Sequence, residues 1–169
     1  MNEFISNMRA DIDKTAQNVV QLLKNKKLRV STAESCTGGL LSGAFTGVAG
    51  SSQVFELGIC AYANKIKEQF LGVSAETLEN SGAVSAQCAC EMALGIREAA
   101  KADIGISVTG IAGPDGGTFE KPVGTVFFAC VYGNKCNVLH IRANSEHGRE
   151  FIRFEAVRQA LILMLNTLI

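Results

Sequence analysis

Three times in this chain a short apolar string ends in a cluster of small polar residues and glycines, and this repeat restricts the fold more than any other feature. The junctions are TAESCTGG at 32–39, YANKIK at 62–67 and VTGIAGPDGG at 108–117. Segments whose apolar residues recur at helical spacing lie between the strings, so strand and helix alternate. That alternation builds a sheet with helices packed on its faces.

The remaining elements follow from periodicity and punctuation. Ile12, Ala16, Val19, Val20, Leu22 and Leu23 predict a first helix over residues 6–25. Strands are expected at 28–34, 54–62 and 102–110, with a helix at 38–48 opened by two glycines. Short helices are expected at 64–71 and 75–81, and Ser85 reads as the N-cap of a long helix reaching about residue 101. Residues 124–143 read as a hairpin turning at Gly133-Asn134, a strong two-residue turn signal. A last amphipathic helix over 146–168 carries Phe151, Phe154, Val157, Leu161, Met164, Leu165 and Leu168. The expected fold is a three-layer α/β/α single domain, residues 1–169, with a mixed sheet of about five strands.

Charge and composition narrow the function classes. Sixteen basic and sixteen acidic residues cancel, so the chain lacks the electrostatic footprint of a nucleic-acid or membrane-surface binder. No apolar run approaches the roughly 20 residues of a membrane span, and the N-terminus lacks the apolar core of a signal peptide. Six cysteines at 36, 60, 88, 90, 130 and 136 show no CxxC and no pairing pattern. They read as reduced thiols of a cytoplasmic protein, with Cys88 and Cys90 on different faces of one helix.

Ligands of open α/β sheets bind at the carboxyl ends of strands, where all three junctions fall. Thr37, Gly38 and Gly39 open a helix, and free N–H groups there suit an anion such as phosphate; the same residues also suit a plain tight turn. Metal chemistry has little support, because only His140 and His147 exist and both lie far along the chain from the junctions. A serine–histidine–acid triad fails for the same reason. A serine with lysine and tyrosine remains: Ser51 and Ser52 precede the second strand, and Tyr62 and Lys67 follow it. Packing, capping and surface roles account for these residues equally well at this level.

The strings AESCTGG (33–39), GSSQVFELGICAYANKIK (50–67), GAVS (82–85), VTGIAGPDGG (108–117) and EKPVGTV (120–126) together resemble the CinA C-terminal domain family. The similarity runs from about residue 10 into the last helix, with the motifs in the family's order. Stand-alone members of that bacterial family look like nicotinamide mononucleotide deamidases of the PncC type. The resemblance implies hydrolysis of the substrate's carboxamide to nicotinic acid mononucleotide and ammonia, with no metal and no cofactor. It implies Ser52 as nucleophile, Tyr62 and Lys67 as its assistants, and Ser35 and Thr109 within the active site. An arginine at the start of the last helix belongs to the pattern; Arg149 fits best, with Arg153 one turn later.

With that substrate in mind, Thr37, Gly38 and Gly39 are expected to hold its phosphate. Gly110 and Gly113 are expected to allow close approach from the third strand. The expected partner is a small molecule, not nucleic acid or membrane. The resemblance and the apolar terminal helix also lead to the expectation of a homodimer. A non-catalytic nucleotide-binding or regulatory module of the competence/damage-inducible type is the alternative.

Overall fold

Ile5, Met8, Ile12, Ala16, Val19, Val20 and Leu23 recur every three or four residues and form the buried stripe of α1 (Asn2–Lys26) in the computed structural model, which describes residues 2–169. Lys27 then takes a left-handed conformation that ends the helix, and the chain enters β1 (Val30–Glu34). Next come α2 (Leu40–Thr46), a 3-10 turn at Ser51–Gln53, β2 (Phe55–Cys60), α3 (Asn64–Leu71), α4 (Ala75–Asn80) and α5 (Ala86–Ala100). The chain finishes with β3 (Ile104–Gly110), the hairpin β4 (Thr125–Tyr132) and β5 (Lys135–Arg142), a 3-10 turn at Ser145–His147, and α6 (Gly148–Leu168). Ser85 does cap α5, its side chain accepting from the Cys88 backbone N–H.

The sheet has five strands in the order β2-β1-β3-β4-β5. β1 runs parallel to both β2 and β3, while β4 is antiparallel to β3 and to β5, so the sheet is mixed as expected. Crossovers between parallel strands are right-handed. The step from β1 to β2 moves one way across the sheet and the step from β2 to β3 moves the other, so their helices fall on opposite faces. α1, α2 and α6 cover one face, packing Leu23, Leu41, Phe45, Ile152 and Leu161 on Ile104, Ile106, Val108, Val126 and Phe128. α3 and α5 cover the other, packing Leu71, Cys88, Met92 and Ile96 against Ala33 and Ala61. α5 sits so close to β3 that a Cβ on Gly105 would overlap the Ala93 carbonyl oxygen.

Two differences from the sequence reading have physical causes. α2 begins at Leu40 rather than 38, because Gly38 (φ +59°) and Gly39 (φ +95°) make a left-handed turn before the helix can start. The cysteines are not all free: Cys90 on α5 is disulfide-bonded to Cys136 on β5. Their separation of 46 residues hides the pair in the sequence. The β4–β5 register sets Cys136 opposite Val131, which packs beneath α5 together with Ala89 and Ala93. Cys88 and Cys90 do face different ways, since Cys88 is buried in the α3–α5 core.

Candidate active site

β1 lies where the chain's lateral direction reverses, so the crevice at the carboxyl ends of β1 and β3 is open to a ligand. A cavity of about 230 Å³ occupies that crevice, lined by Ser35, Tyr62, Asn64, Lys67, Thr109 and Arg149 among others. Each arrives from a different element: Ser35 follows β1, Tyr62 follows β2, Lys67 lies in α3, Thr109 ends β3 and Arg149 opens α6. Five residues singled out in sequence, scattered over more than a hundred positions, therefore share one cavity.

At its floor Lys67 is 1% exposed and belongs to the largest fully buried side chains of the described residues. Its Nζ lies 3.3 Å from Ser35 Oγ, 2.8 Å from the Ala61 carbonyl oxygen and 3.1 Å from that of Tyr62. No carboxylate is among these partners. Burial therefore pushes the Lys67 pKa down, because an ammonium in this site loses its water without gaining a counter-charge. A neutral amine has two N–H donors and one lone pair. The ammonium donates to all three oxygens; in the neutral form, with its two donors on the carbonyl oxygens, the lone pair would face the Ser35 hydroxyl.

Around this pair the cavity is polar on one side. Thr109 is buried and donates its hydroxyl to the Ala83 carbonyl at 2.7 Å, fixing the segment before α5 as a wall. Arg149 is exposed at the rim; it donates to the Gly113 carbonyl at 2.6 Å and reaches the Tyr62 hydroxyl at 3.4 Å. Cys36 also lines the cavity, and burial pushes its thiol up to about 12, which favours the protonated form over the nucleophilic thiolate. Among the described residues, the backbone N–H groups of Cys36 and Thr37 donate to no protein oxygen, whereas that of Ser35 is held by the Val108 carbonyl.

Ser52 is not in this cluster. It lies exposed in the 3-10 turn before β2, whereas Tyr62 and Lys67 lie beyond the strand's far end. A strand advances about 3.3 Å per residue, so the six residues of β2 alone separate these positions by roughly 20 Å. In this chain the hydroxyl beside Lys67 belongs to Ser35.

The glycines also serve ends other than those expected. The anion at the start of α2 is the protein's own: the Glu34 carboxylate accepts from the backbone N–H groups of Gly39 (3.0 Å), Leu41 (3.0 Å) and Ser42 (2.8 Å), and from the Ser42 hydroxyl (2.6 Å). A phosphate would meet a filled site and a like charge there. Thr37 and Gly38 are instead tied to α6, because Arg153 donates to the carbonyls of Cys36 (3.1 Å) and Thr37 (2.7 Å), and a Cβ on Gly38 would come within 3.3 Å of Arg153 Nη2. Gly110 does line the cavity, although a Cβ there would crowd the Thr125 carbonyl; Gly113 does not, and a Cβ on it would crowd Val123 at 2.6 Å, so its missing side chain makes room for protein. Glu34 escaped the sequence reading; an acidic residue shortly before a helix start was its signal.

Comparison with known proteins agrees with this fold. The CinA C-terminal domain profile matches residues 12–168. A protein of Enterobacter agglomerans named nicotinamide-nucleotide amidohydrolase PncC is 52% identical over 134 residues, covering 79% of this chain and 81% of that protein. A CinA-like protein of Synechococcus is 45% identical over 155 residues, covering 92% of this chain. The chain spans 36%, 37% and 31% of the length of three curated relatives, from Thermoanaerobacter pseudethanolicus, Synechococcus and Acetivibrio thermocellus. Among solved structures, the competence/damage inducible protein CihA of Agrobacterium tumefaciens has a TM-score of 0.87 at 48% identity, covering 94% of this chain and 95% of that one. A CinA superfamily protein of Klebsiella pneumoniae has a TM-score of 0.89 at 34% identity, covering 93% and 97%.

Proposed function

This chain belongs to the CinA C-terminal domain family, and on that premise we propose that it hydrolyses the carboxamide of nicotinamide mononucleotide, with Ser35 as nucleophile and Lys67 as its base. The observation that carries the reading is a buried lysine without a carboxylate, 3.3 Å from a serine hydroxyl in a cavity. A lysine held neutral by burial accepts a proton at a pH where an exposed one is almost wholly charged.

The chemistry follows from that pair. Ser35 Oγ attacks the carboxamide carbon as its proton passes to Lys67 Nζ. The oxyanion of the tetrahedral intermediate takes its hydrogen bond from a backbone N–H following Ser35 that donates to no protein oxygen, the kind of donor that supplies much of the stabilisation in acyl transfer. Lys67 then returns the proton to the departing nitrogen, ammonia leaves, and Ser35 carries the nicotinoyl ester. A water molecule, deprotonated by Lys67, cleaves that ester and restores the serine. The positively charged pyridinium ring of this substrate draws electrons from its amide and eases both attacks.

Recognition of the nucleotide falls to the rim. Arg149 presents a guanidinium beside Tyr62, and a phosphate accepts from such a fork in the manner it accepts from no neutral donor. The relative named for this activity supports the substrate, and the cavity supports the reaction type. The test is incubation of the purified chain with nicotinamide mononucleotide, with ammonia and nicotinic acid mononucleotide measured together. Equimolar release of both is expected from the wild type and none from Ser35→Ala. Tight binding without turnover in the wild type would instead favour a regulatory nucleotide-binding module.

A further inference from the structure

The cysteine pair that joins α5 to β5 lies at the sheet edge distant from β2, outside the cavity just described, and its surroundings differ from those of the other thiols. Cys36, Cys88 and Cys130 are buried and unbonded. Cys136 is exposed on the edge strand and Cys90 is half-buried on the helix. Both line an open groove of about 380 Å³ with Glu91, Leu94, Arg97, Gly133 and Lys135. Arg97 is anchored there by donating to the Gly133 carbonyl at 2.8 Å, and Lys135 precedes Cys136 directly. The single carboxylate of the groove, Glu91, is engaged by Thr77, Ser74 and Gln87 on α5's flank.

We propose that Cys90 and Cys136 form a reversible thiol–disulfide centre that exchanges with an anionic low-molecular-weight thiol entering this groove. Geometry sets the order of events. The incoming thiolate reaches the exposed Cys136 Sγ and forms a mixed disulfide; the Cys90–Cys136 bond breaks, its electron pair goes to Cys90 Sγ, and that sulfur takes up a proton. A second thiolate then attacks the sulfur of the bound small molecule, releasing the small disulfide and the Cys136 thiolate, which is protonated in turn. The protein gains two electrons and two protons, and two small thiols are oxidised to one disulfide. The two cations favour a carboxylate-bearing thiol at the encounter and steady each thiolate as it leaves.

Glutathione is the probe. The full chain is equilibrated across ratios of reduced to oxidised glutathione, quenched in acid, alkylated and mapped by peptide mass spectrometry. Labelling of Cys90 and Cys136 is expected to rise together from none to complete as the thiol form comes into excess, and to reverse on returning to the oxidised form. Exposed Cys60, unpaired in the chain, serves as the internal control for reagent access. In oxidised glutathione, the free Cys136 thiolate of Cys90→Ser is expected to take one glutathione and release the other as thiol, giving the mixed disulfide through which the exchange passes. The proposal fails if the pair stays closed at every ratio until the chain is denatured. It fails equally if the pair stays open in oxidised glutathione, or if Cys136 of the variant takes no adduct while Cys60 does.

Discussion

The Glu34 carboxylate accepts both the backbone N–H and the hydroxyl of Ser42, at 2.8 and 2.6 Å, from the far side of the turn that carries Ser35. With Gly39 and Leu41 it thereby neutralises the start of α2 and locks the backbone between β1 and that helix. Ser35 is held as a consequence of where its neighbour's charge is satisfied.

Glu34→Gln keeps the size of the side chain but turns an amide N–H₂ toward donors that need an acceptor. Hydrogen bonds to a buried charge contribute about 1.5–3 kcal/mol, so the unfolding free energy is expected to drop by roughly that amount. Chemical denaturation checks this, and turnover is expected to fall as well because the Ser35 turn loosens. A variant as stable as wild type would mean that the cap is dispensable.

Ser35→Ala is expected to lower kcat for nicotinamide mononucleotide by about 10⁴-fold or more, the scale seen when a nucleophile is deleted from a serine hydrolase. Ser52→Ala, altering an exposed residue at the opposite end of β2, is expected to leave kcat close to wild type. The reverse ranking in a side-by-side assay would return the nucleophile to Ser52.

Lys67 governs two pH dependences. Burial lowers its pKa, so kcat/KM is expected to rise with pH through that lowered value, and Lys67→Arg, which stays charged, is expected to lose about 10²–10⁴-fold. Stability has the same sign. Between the lowered value and the ordinary one near about 10.4, the unfolded chain binds the proton that the folded chain lacks, so stability increases with pH in that interval. It is lost as pH falls through the folded value. Lys67→Met cannot titrate and is expected to lack this rising limb; identical pH slopes for the two proteins would show that Lys67 is not desolvated.

Arg149→Ala is expected to raise KM for the nucleotide roughly 10- to 100-fold, since a hydrogen bond between charged groups contributes about 1.5–3 kcal/mol. The corresponding nucleoside has no phosphate, so its KM is expected to change little. Gly38→Ala, by contrast, strains a left-handed residue against Arg153 and is expected to affect both substrates alike. Equal losses on both substrates with Arg149→Ala would remove the phosphate from that arginine.

Most of the architecture was legible in the chain because local physics specified it. Helical spacing from Ile12 to Leu23, the Ser85 cap and the Gly133-Asn134 turn each act within a few residues, and each element formed where that local signal lies. The membership of Ser35, Tyr62, Lys67, Thr109 and Arg149 in one site was also legible, through the polar junctions and the family's motifs.

Tertiary structure alone decided which serine meets the lysine. Ser52 is only fifteen positions before Lys67, yet a whole strand carries the chain away from it; Ser35 is 32 positions distant, yet its parallel neighbour strand ends at the same edge. Sequence order likewise could not show that Glu34 would fill the anion site at α2, because that depends on the turn folding back over its own carboxylate. Nor could it show that Cys90 and Cys136 would meet, because an α5 laid across β3 and β4 brings them together. Local signals determine what each segment becomes; strand direction and sheet order determine which segment ends face one another.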